Sequence, residues 1–436
     1  MKVAFYTLGC KVNQYDTQAV TESFTAKGFE TVGYYLDADV YIVNSCTVTA
    51  ESDRKTRQAV RRFKNLHPDS VVVLTGCMPQ AFPNTAEELP EADIVLGNRD
   101  YDELFRLLEQ YFSCGNRQVQ ITPHLTGAAY KGTALMGAGI TDFKERTRAA
   151  VKIEDGCDRF CSYCIIPYAR GRVRSKSLSE LKTELESLEN AGFAEIVLVG
   201  INLSAYGSDI GKSLCDAVEL ACSFEGIKRV RLGSLEPDRI TNELIECLSG
   251  QTKLCPQFHI SLQSGCDETL RRMNRHYTVR DYETLCRELR STFKGCTLTT
   301  DVMVGFPTES EDEFYESLEF VQKIKFEKVH VFPYSPRTGT KAAEMMPQIA
   351  KAQKEKRSRL MIAAAQEIRN EFLESQIGLT VEVLIEGNIE KDVAQGFTPN
   401  YTPVKIKDAD IPAGVIFRVK ITGVEDDYCV GKIVGE

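Results

Sequence analysis

The stretch Gly156-Cys157-Asp158-Arg159-Phe160-Cys161-Ser162-Tyr163-Cys164 contains three cysteines, separated by three and then by two other residues. Three thiolates can hold three irons of a cubane [4Fe–4S] cluster, whose full set of cysteine ligands is four. No fourth cysteine follows nearby, so one iron stays open for a substrate or cofactor. A structural zinc site, which closes with four ligands, is the alternative. The spacing of this loop site (Cys157, Cys161 and Cys164) therefore favours an iron–sulfur cluster that takes part in chemistry.

The composition bounds the class of protein. The chain has 436 residues, of which 43% are hydrophobic and 15 are cysteines. Its start carries no long apolar run with a cleavage site, and no other stretch is long and apolar enough to span a bilayer. We therefore expect a cytoplasmic protein without a membrane partner, in which thiols stay reduced and serve as metal ligands or catalysts more often than as disulfides.

Charge is distributed unevenly along the chain. The formal net charge is −9, which by itself argues weakly against a nucleic-acid binder. Basic residues nevertheless cluster within 51–64, 170–176 and 271–280. Solvated helix faces and loops are the ordinary explanation for such runs. The cluster at 170–176 directly follows the loop site, and we interpret it as functional.

Residues 1–115 show the pattern of a doubly wound parallel sheet, because near-continuous apolar runs alternate with helical patterns. The apolar runs cover residues 2–8, 40–44, 71–76 and 94–97. Cys10, Cys46 and Cys77 directly follow the first three runs. Ligands of such sheets bind beyond the carboxyl ends of the strands. We therefore expect these cysteines, the N-terminal site, to share one crevice and bind a second cluster; three unrelated buried cysteines are the alternative.

Three further segments follow. Residues 116–149 are rich in glycine and threonine and are interpreted as a linker. Residues 150–373 contain strand–helix units that are too few for a closed eight-stranded barrel, and they predict a partial (β/α)6 barrel. Residues 374–436 contain short strands between turn residues and predict a small β-barrel. The predicted fold class is α/β, with a doubly wound sheet, a partial barrel and a small β-barrel.

Polar residues follow several strands of the predicted partial barrel, at the end that also carries the loop site. Among them are Asn202, Ser234, Glu236 and Gln263. Turn chemistry explains any one of these positions, because short polar residues are common in turns. Their recurrence at the carboxyl ends of successive strands predicts a shared binding site.

The chain resembles the methylthiotransferases of the radical S-adenosylmethionine (SAM) superfamily along nearly its whole length. The matching segments are residues 8–14, 44–48, 75–77, 157–172, 261–265, 273–275 and 301–307. The terminal β segment resembles the TRAM domain, an RNA-binding β-barrel. The central segment is thus expected to be a radical SAM core.

The resemblance implies two [4Fe–4S] clusters, one on the loop site and one on the N-terminal site. The first would bind SAM and cleave it to a 5′-deoxyadenosyl radical, and the second would hand over sulfur. Tyr163 would pack near the adenine of SAM. Asn202, Ser234, Glu236 and Gln263 would contact its methionine and ribose ends.

The resemblance also implies a substrate. The segments 152–157 and 168–171 are most similar to the branch that adds a methylthio group to C2 of N6-threonylcarbamoyladenosine, next to the anticodon of tRNA. The alternatives are the isopentenyladenosine branch and the branch acting on an aspartate of a ribosomal protein. The implied partners are tRNA, a reductant protein such as flavodoxin or ferredoxin, and a sulfur donor. A non-catalytic RNA-binding protein with structural metals is the hypothesis from a different class.

One observation argues against RNA binding by the terminal segment. Residues 375–436 carry six basic and ten acidic residues, a net charge of −4, whereas an RNA-binding module is expected to have a basic face. Phe397 and Tyr401 are its candidates for stacking on bases. The cysteines outside the two sites are interpreted as core or incidental: Cys114, Cys215, Cys222, Cys247, Cys255, Cys266, Cys286, Cys296 and Cys429.

Overall fold

A parallel sheet forms the N-terminal part of the computed structural model, which describes residues 1–124, 147–390, 392–407 and 411–434. Its strands are β1 Lys2–Thr7, β2 Glu30–Val32, β3 Val40–Ser45, β4 Val71–Gly76, β5 Ile94–Leu96 and β6 Gln118–Gln120. Within the described residues their order is β2-β1-β3-β4-β5-β6. The order reverses between β1 and β3, and sheets of this type bind ligands beyond the carboxyl ends at such a switch point.

Helices cover both faces of this sheet. They are α1 Lys11–Ala26, α2 Ala50–Leu66, α3 Cys77–Ala81, α4 Thr85–Glu88 and α5 Leu104–Cys114. Tyr41 of β3 packs in one core with Phe63 of α2, whereas Ile42 packs in the opposite core with Phe24 of α1. A strand buried on both faces needs this near-continuous apolar sequence. The predicted doubly wound sheet is therefore confirmed.

The predicted linker is only partly described. Strand β6 lies within it and pairs with β5, so the first sheet extends past residue 115. Its sequence, Gln118-Val119-Gln120, is too short and polar to stand out as a strand. Residues 125–146, which hold the glycines of the linker, lie outside the described residues.

Strand–helix units continue through the central part and form the predicted partial barrel. The strands are β7 Arg148–Lys152, β8 Glu154–Asp155, β9 Arg174–Ser175, β10 Glu195–Val199, β11 Arg229–Leu232, β12 Ser234–Leu235, β13 Gln257–Ile260, β14 Thr297–Val304 and β15 Lys328–Pro333. The helices are α6 Ile166–Arg170, α7 Leu178–Asn190, α8 Leu214–Ser223, α9 Asn242–Ser249, α10 Asp267–Arg272, α11 Val279–Thr292, α12 Glu311–Ile324, α13 Lys341–Glu344 and α14 Lys351–Ser375.

Parallel pairing in the described residues gives two sheets, β11-β10-β7 and β12-β13-β14-β15. Strands β8 and β9 pair antiparallel and close the base of the loop that carries the loop site. Helix α7 begins with a capping box, in which the Ser177 hydroxyl accepts from the Glu180 amide and the Glu180 carboxylate accepts from the Ser177 amide. The carboxyl ends of the barrel strands and the loop site thus lie at one end.

The C-terminal part is a closed β-barrel, as predicted. Its strands, all within the described residues, are β16 Thr380–Glu390, β17 Val393–Phe397, β18 Pro403–Lys407, β19 Ile416–Glu425 and β20 Tyr428–Ile433. The apolar pattern of the sequence does not reveal β17, because its inward positions hold the small residues Ala394 and Gly396. A Cβ at Gly396 would lie 2.3 Å from the Leu384 carbonyl oxygen, so the neighbouring strand leaves no room for a side chain.

A loop of this C-terminal barrel docks on the amino ends of the partial-barrel strands. Arg229 donates to the Phe397 carbonyl at 3.1 Å, and Arg231 donates to the Pro399 carbonyl at 3.0 Å. The rings of Phe397 and Tyr401 stack on each other with centroids 4.5 Å apart, and the Arg148 guanidinium lies over both. The prediction that these rings stack on RNA bases is therefore wrong, because contacts within the protein occupy them.

Two cysteines interpreted as core or incidental are paired. Cys215 of α8 and Cys247 of α9 form a disulfide, with Cα atoms 6.3 Å apart, and both are half-buried. Their pairing depends on how the two helices pack, which spacing in the sequence does not show. Cys114 is exposed at the end of α5 and Cys222 is half-buried. The remaining cysteines of that group are buried, as predicted: Cys255, Cys266, Cys286, Cys296 and Cys429.

Candidate active site

The N-terminal site lies at the carboxyl edge of the first sheet. Cys10 precedes α1, Cys46 follows β3, and Cys77 begins α3 directly after β4. Cys46 and Cys77 are buried, whereas Cys10 is exposed. Cys10 and Cys46 both act electrostatically on the Cys77 thiol. The strand ends thus bring together three cysteines that are far apart in the sequence.

Two glycines allow this close approach. Gly9 has a φ of +106°, and a Cβ there would lie 2.8 Å from the Cys46 Cβ and 3.1 Å from its sulfur. Gly76 has a φ of +97°, and a Cβ there would lie 2.5 Å from the Ser45 carbonyl oxygen. Only glycine adopts such backbone conformations at low cost. Each glycine precedes a cysteine of the N-terminal site and sets where its sulfur lies.

A buried arginine joins the N-terminal site to the segment that follows the loop site. Arg170, at the end of α6, donates from Nε to the Cys77 sulfur at 3.3 Å. Its Nη1 donates to Asp16 at 2.8 Å and to Asp155 at 3.1 Å, and its Nη2 donates to Asn13. Arg170 therefore fixes the N-terminal site against the partial barrel.

The loop site is held in place by backbone hydrogen bonds. The Cys157 amide donates to the Gly171 carbonyl at 2.9 Å, and the Ser162 amide donates to the Met273 carbonyl at 3.0 Å. Asn274 donates to the Phe160 carbonyl at 3.2 Å. One of these bonds goes to Gly171, which follows the loop in sequence, and the others involve Met273 and Asn274, which follow α10. The loop is thus held by two separate segments of the chain.

A second arginine serves the loop site. Arg275 donates from Nη1 to the Cys161 sulfur at 3.3 Å and to Glu236 at 3.2 Å. Its Nη2 donates to the Ser261 carbonyl at 3.1 Å. The two cysteine sites therefore share a design, in which one buried arginine donates to one sulfur.

The sulfur environments fit iron–sulfur clusters. Burial raises the pKa of the Cys77 thiol and of the Cys164 thiol to about 12 each, and it also raises the pKa of Cys157. Thiolates are the ligands of a cluster, so binding releases protons and the bound iron stabilises the negative sulfur. Hydrogen bonds from Arg170 and Arg275 lower the cost of that charge. Each site offers three sulfur atoms, which leaves one iron of a four-iron cluster free.

Two buried acceptors lie unpaired beyond the strands β7 and β10. The Asn202 amide donates to Glu154 Oε2 at 2.7 Å. Asn202 Oδ1 and Glu154 Oε1 are buried and have no hydrogen-bond partner among the described residues. Burial raises the pKa of Glu154 well above its usual value. Orphaned acceptors of this kind suit the ammonium group of an amino-acid ligand such as SAM.

Three of the other predicted SAM contacts have partners at this end of the partial barrel. The Glu236 amide donates to the Ser204 hydroxyl at 2.8 Å, and Ser234 and Ser261 have hydroxyl oxygens 3.3 Å apart. Tyr163 packs beside the apolar cluster of Met273 and Phe306.

Gln263 is the fifth predicted SAM contact, and its backbone is unusual. Its φ is +69°, its amide donates to the Asp301 carbonyl at 2.8 Å, and its carbonyl accepts from the Met303 amide at 2.8 Å. Among the described residues, its side chain forms no hydrogen bond with the other four predicted residues. A left-handed backbone is uncommon for a residue other than glycine and marks Gln263 as a strained position.

Sequence reasoning missed the side chains that support the cysteines. Arg170 and Arg275 lie in two basic clusters seen in the sequence, but a charge run does not say which of its members is buried. Asn13 and Glu154 lie in matching segments or beside them, and nothing in the spacing assigns them a role. The proximity of each cluster to a cysteine motif is the signal that could have found the arginines.

Two family models match the chain. Residues 2–97 match the model described as "Uncharacterized protein family UPF0004", and residues 151–321 match the Radical SAM superfamily. Each matched region contains one of the two cysteine sites.

Curated relatives match over nearly the full length. The threonylcarbamoyladenosine tRNA methylthiotransferase MtaB of Bacillus subtilis is 37% identical, with 99% of this chain and 96% of the relative covered. The protein of the same name from Aquifex aeolicus is 37% identical, with coverage of 97% and 100%. The tRNA-2-methylthio-N(6)-dimethylallyladenosine synthase of Pelotomaculum thermopropionicum is 32% identical, with coverage of 99% and 97%.

Solved structures share the fold. The radical SAM methyltransferase TsrM from Kitasatospora setae superposes with a TM-score of 0.55 at 14% identity, covering 77% of this chain and 73% of that protein. Among the described residues, no helix is both long and apolar enough to cross a membrane.

Proposed function

The chain belongs to the radical SAM methylthiotransferases, and on that premise we propose that it adds a methylthio group to C2 of N6-threonylcarbamoyladenosine next to the anticodon of tRNA. The observation that carries this proposal is the presence of two three-cysteine sites, one per matched family region, joined through the buried Arg170. A structural metal would be closed by four ligands, whereas each site here offers three. This argues against a non-catalytic metal-bearing RNA-binding protein.

The identities support the choice of substrate. Relatives named for threonylcarbamoyladenosine include three at 35% to 37% identity. Relatives named for dimethylallyladenosine are 30% to 32% identical. The adenosine beside the anticodon is unpaired, so a pocket reaches it without opening a duplex.

We assign the loop site and the N-terminal site as the ligands of two [4Fe–4S] clusters, which with SAM are the cofactors of this family. When bound, these groups supply reductive cleavage of SAM, hydrogen removal from the adenine and the transferred sulfur. We assign the first sheet, which extends to Gln120, and the partial barrel, which begins at Arg148, as the corresponding domains, and the C-terminal barrel as TRAM-like.

The side chains of the protein bind, orient and insulate these groups. Arg170 and Arg275 each donate to one sulfur, in the N-terminal site and in the loop site respectively, and orient it. Asn202 and Glu154 present free oxygen atoms to the ammonium group of SAM. Tyr163 shields its adenine. We assign Ser234, Glu236 and Gln263 to its ribose and carboxylate ends.

Two further partners follow from the chemistry. Reductive cleavage needs an electron donor, and we propose a small reductant protein such as flavodoxin or ferredoxin. The transferred sulfur must be replaced after each turnover, so we propose a separate sulfur donor. We place the reaction in the cytoplasm, where tRNA and these donors meet.

The test is nucleoside analysis of tRNA after reaction with the reconstituted protein, SAM and a reductant. Two substrates are compared, one carrying N6-threonylcarbamoyladenosine and one carrying N6-isopentenyladenosine. We expect a mass gain of one methylthio group on the first substrate. The proposal is contradicted if only the substrate with N6-isopentenyladenosine gains a methylthio group. It is also contradicted if 5′-deoxyadenosine is released but neither substrate gains a methylthio group.

A further inference from the structure

A groove beside α2 is not used by the site described above. It has a volume of about 380 Å³ and lies between α2 and β1. It is lined by Tyr6 of β1 and by Lys55, Gln58, Arg62 and Phe63 of α2. Its size lies within the range of ordinary ligand pockets. The α2 groove thus combines cations with aromatic rings.

The two cations in the groove form no ion pair with a described residue, unlike their neighbours on α2. Arg54 pairs with Glu51, Arg57 with Glu88 and Arg61 with Glu91. Lys55 and Arg62 are exposed and form no ion pair or hydrogen bond with any described residue. They lie seven residues apart on one face of the helix, or about 10 Å along its axis.

A row of aromatic rings leads out of the groove. The Tyr6 ring lies 5.8 Å from Phe63 and 5.1 Å from Tyr34, and Tyr34 lies 5.8 Å from Tyr35. Tyr35 is 75% exposed and Leu36 is 49% exposed. Exposed aromatic rings that continue from a groove lined by cations are the pattern of a stacking surface for unpaired bases.

The groove lies beside the catalytic end of the partial barrel. The amino end of α2 contacts the loop after β15: the Ala50 amide donates to Ser335 at 3.2 Å, and Arg337 donates to Asp53 at 2.6 Å. Lys55 follows within the next two turns. A strand of RNA whose target base enters the site can therefore continue along α2.

The C-terminal barrel is acidic as a whole, and two of its aromatic rings have partners within the protein. Residues 375–436 carry a net charge of −4, and the rings of Phe397 and Tyr401 are engaged with Arg148 and Arg231. Residues 51–64 carry six basic and two acidic residues, a net charge of +4. Phosphate contacts supply much of the affinity for RNA. The charge balance therefore favours α2.

We propose that the α2 groove binds the unpaired RNA next to the target adenosine, with Lys55 and Arg62 on phosphates and Tyr35 stacked on a base. This proposal rests on the proposed function, since it takes the substrate to be RNA. It assigns to the N-terminal region a binding role that is separate from holding sulfur.

The test measures the affinity of the full, reconstituted protein for a synthetic anticodon stem–loop RNA at several salt concentrations. For the double variant Lys55→Ala with Arg62→Ala, we expect the Kd to rise about tenfold at low salt, and the slope of log K against log salt to fall by about 1.4. Tyr35→Ala is expected to raise the Kd roughly 5- to 100-fold.

A matched double variant, Lys182→Ala with Lys294→Ala, removes two exposed charges elsewhere and is expected to leave the Kd unchanged. SAM cleavage without RNA should be normal in all variants, which shows that they are folded. An unchanged Kd in the α2 variants overturns the proposal. The proposal is also overturned if the α2 variants keep the wild-type Kd for RNA but their clusters are reduced more slowly by flavodoxin. In that case the groove binds an acidic reductant protein instead of RNA. Wild-type protein that binds RNA through the groove yet forms no methylthio nucleoside contradicts only the proposed function.

Discussion

The two cysteine sites bring three cysteines together in different ways. The loop site lies on one loop, and its three cysteines fall within eight residues of sequence. The N-terminal site takes one cysteine from the end of each of three strands, across 68 residues. The first site depends on hydrogen bonds that fix a loop, whereas the second depends on the sheet itself. This difference predicts that the sites can be damaged separately.

The largest expected effect comes from removing the loop site. The triple change of Cys157, Cys161 and Cys164 to alanine should abolish both SAM cleavage and methylthiolation, because all ligands of one cluster are lost. Electron paramagnetic resonance of the reduced variant should still show the cluster of the N-terminal site. Loss of every iron signal would mean that the chain has one cluster.

Removing one ligand of the other site should separate the two activities. Cys10→Ala should abolish methylthiolation but leave some SAM cleavage, because the loop site is intact. The measurement is 5′-deoxyadenosine and methylthio nucleoside from the same reaction. Cys114→Ala, at another exposed cysteine, is the control. Methylthiolation at the wild-type level in Cys10→Ala would refute the sulfur role of the N-terminal site.

The supporting arginine of the loop site should have an intermediate effect. Arg275→Gln removes the donor to Cys161 and should lower the rate of SAM cleavage roughly 10- to 100-fold, as for other residues that orient metal ligands. Arg271→Gln changes an exposed arginine paired with Glu268 and should have little effect. Equal rates in the two variants would show that the Arg275 contact is not needed.

The smallest effect expected here concerns the backbone of the N-terminal site. Gly9→Ala places a Cβ against Cys46 and should lower methylthiolation about tenfold through sub-ångström misplacement. Gly28→Ala is the matched control, since its φ is also positive, at +84°, but no atom lies within 4 Å of the new Cβ. Both changes should lower the free energy of unfolding by about 1 kcal/mol or more. Similar methylthiolation in the two variants would show that only backbone strain matters.

The two cysteine sites also differ in how well they could be predicted from the sequence. The loop site could be read from spacing alone, because its ligands are neighbours in the chain. The N-terminal site could be predicted only through the strands, since equivalent strand ends meet at one edge. The roles of Arg170 and Glu154 could not be predicted. Arg170 contacts Asp16, which lies more than a hundred residues away in the sequence, and the role of Glu154 depends on its burial.

The wrong predictions have physical reasons of the same kind. Phe397 and Tyr401 look like a stacking surface in the sequence, but the amino ends of the partial-barrel strands present arginines that bind them. Cys215 and Cys247 look incidental, but neighbouring helices bring them together. In both cases the contacting residue lies in another helix or strand, so the local sequence does not indicate the contact.

The central claim is that two separate clusters with three cysteine ligands each occupy this chain. Iron and sulfide analysis of the anaerobically reconstituted wild-type protein tests it most directly. We expect about eight irons and about eight sulfides per chain, as two four-iron clusters contain. A value of about four at full reconstitution, or stoichiometric zinc in place of iron, would contradict it.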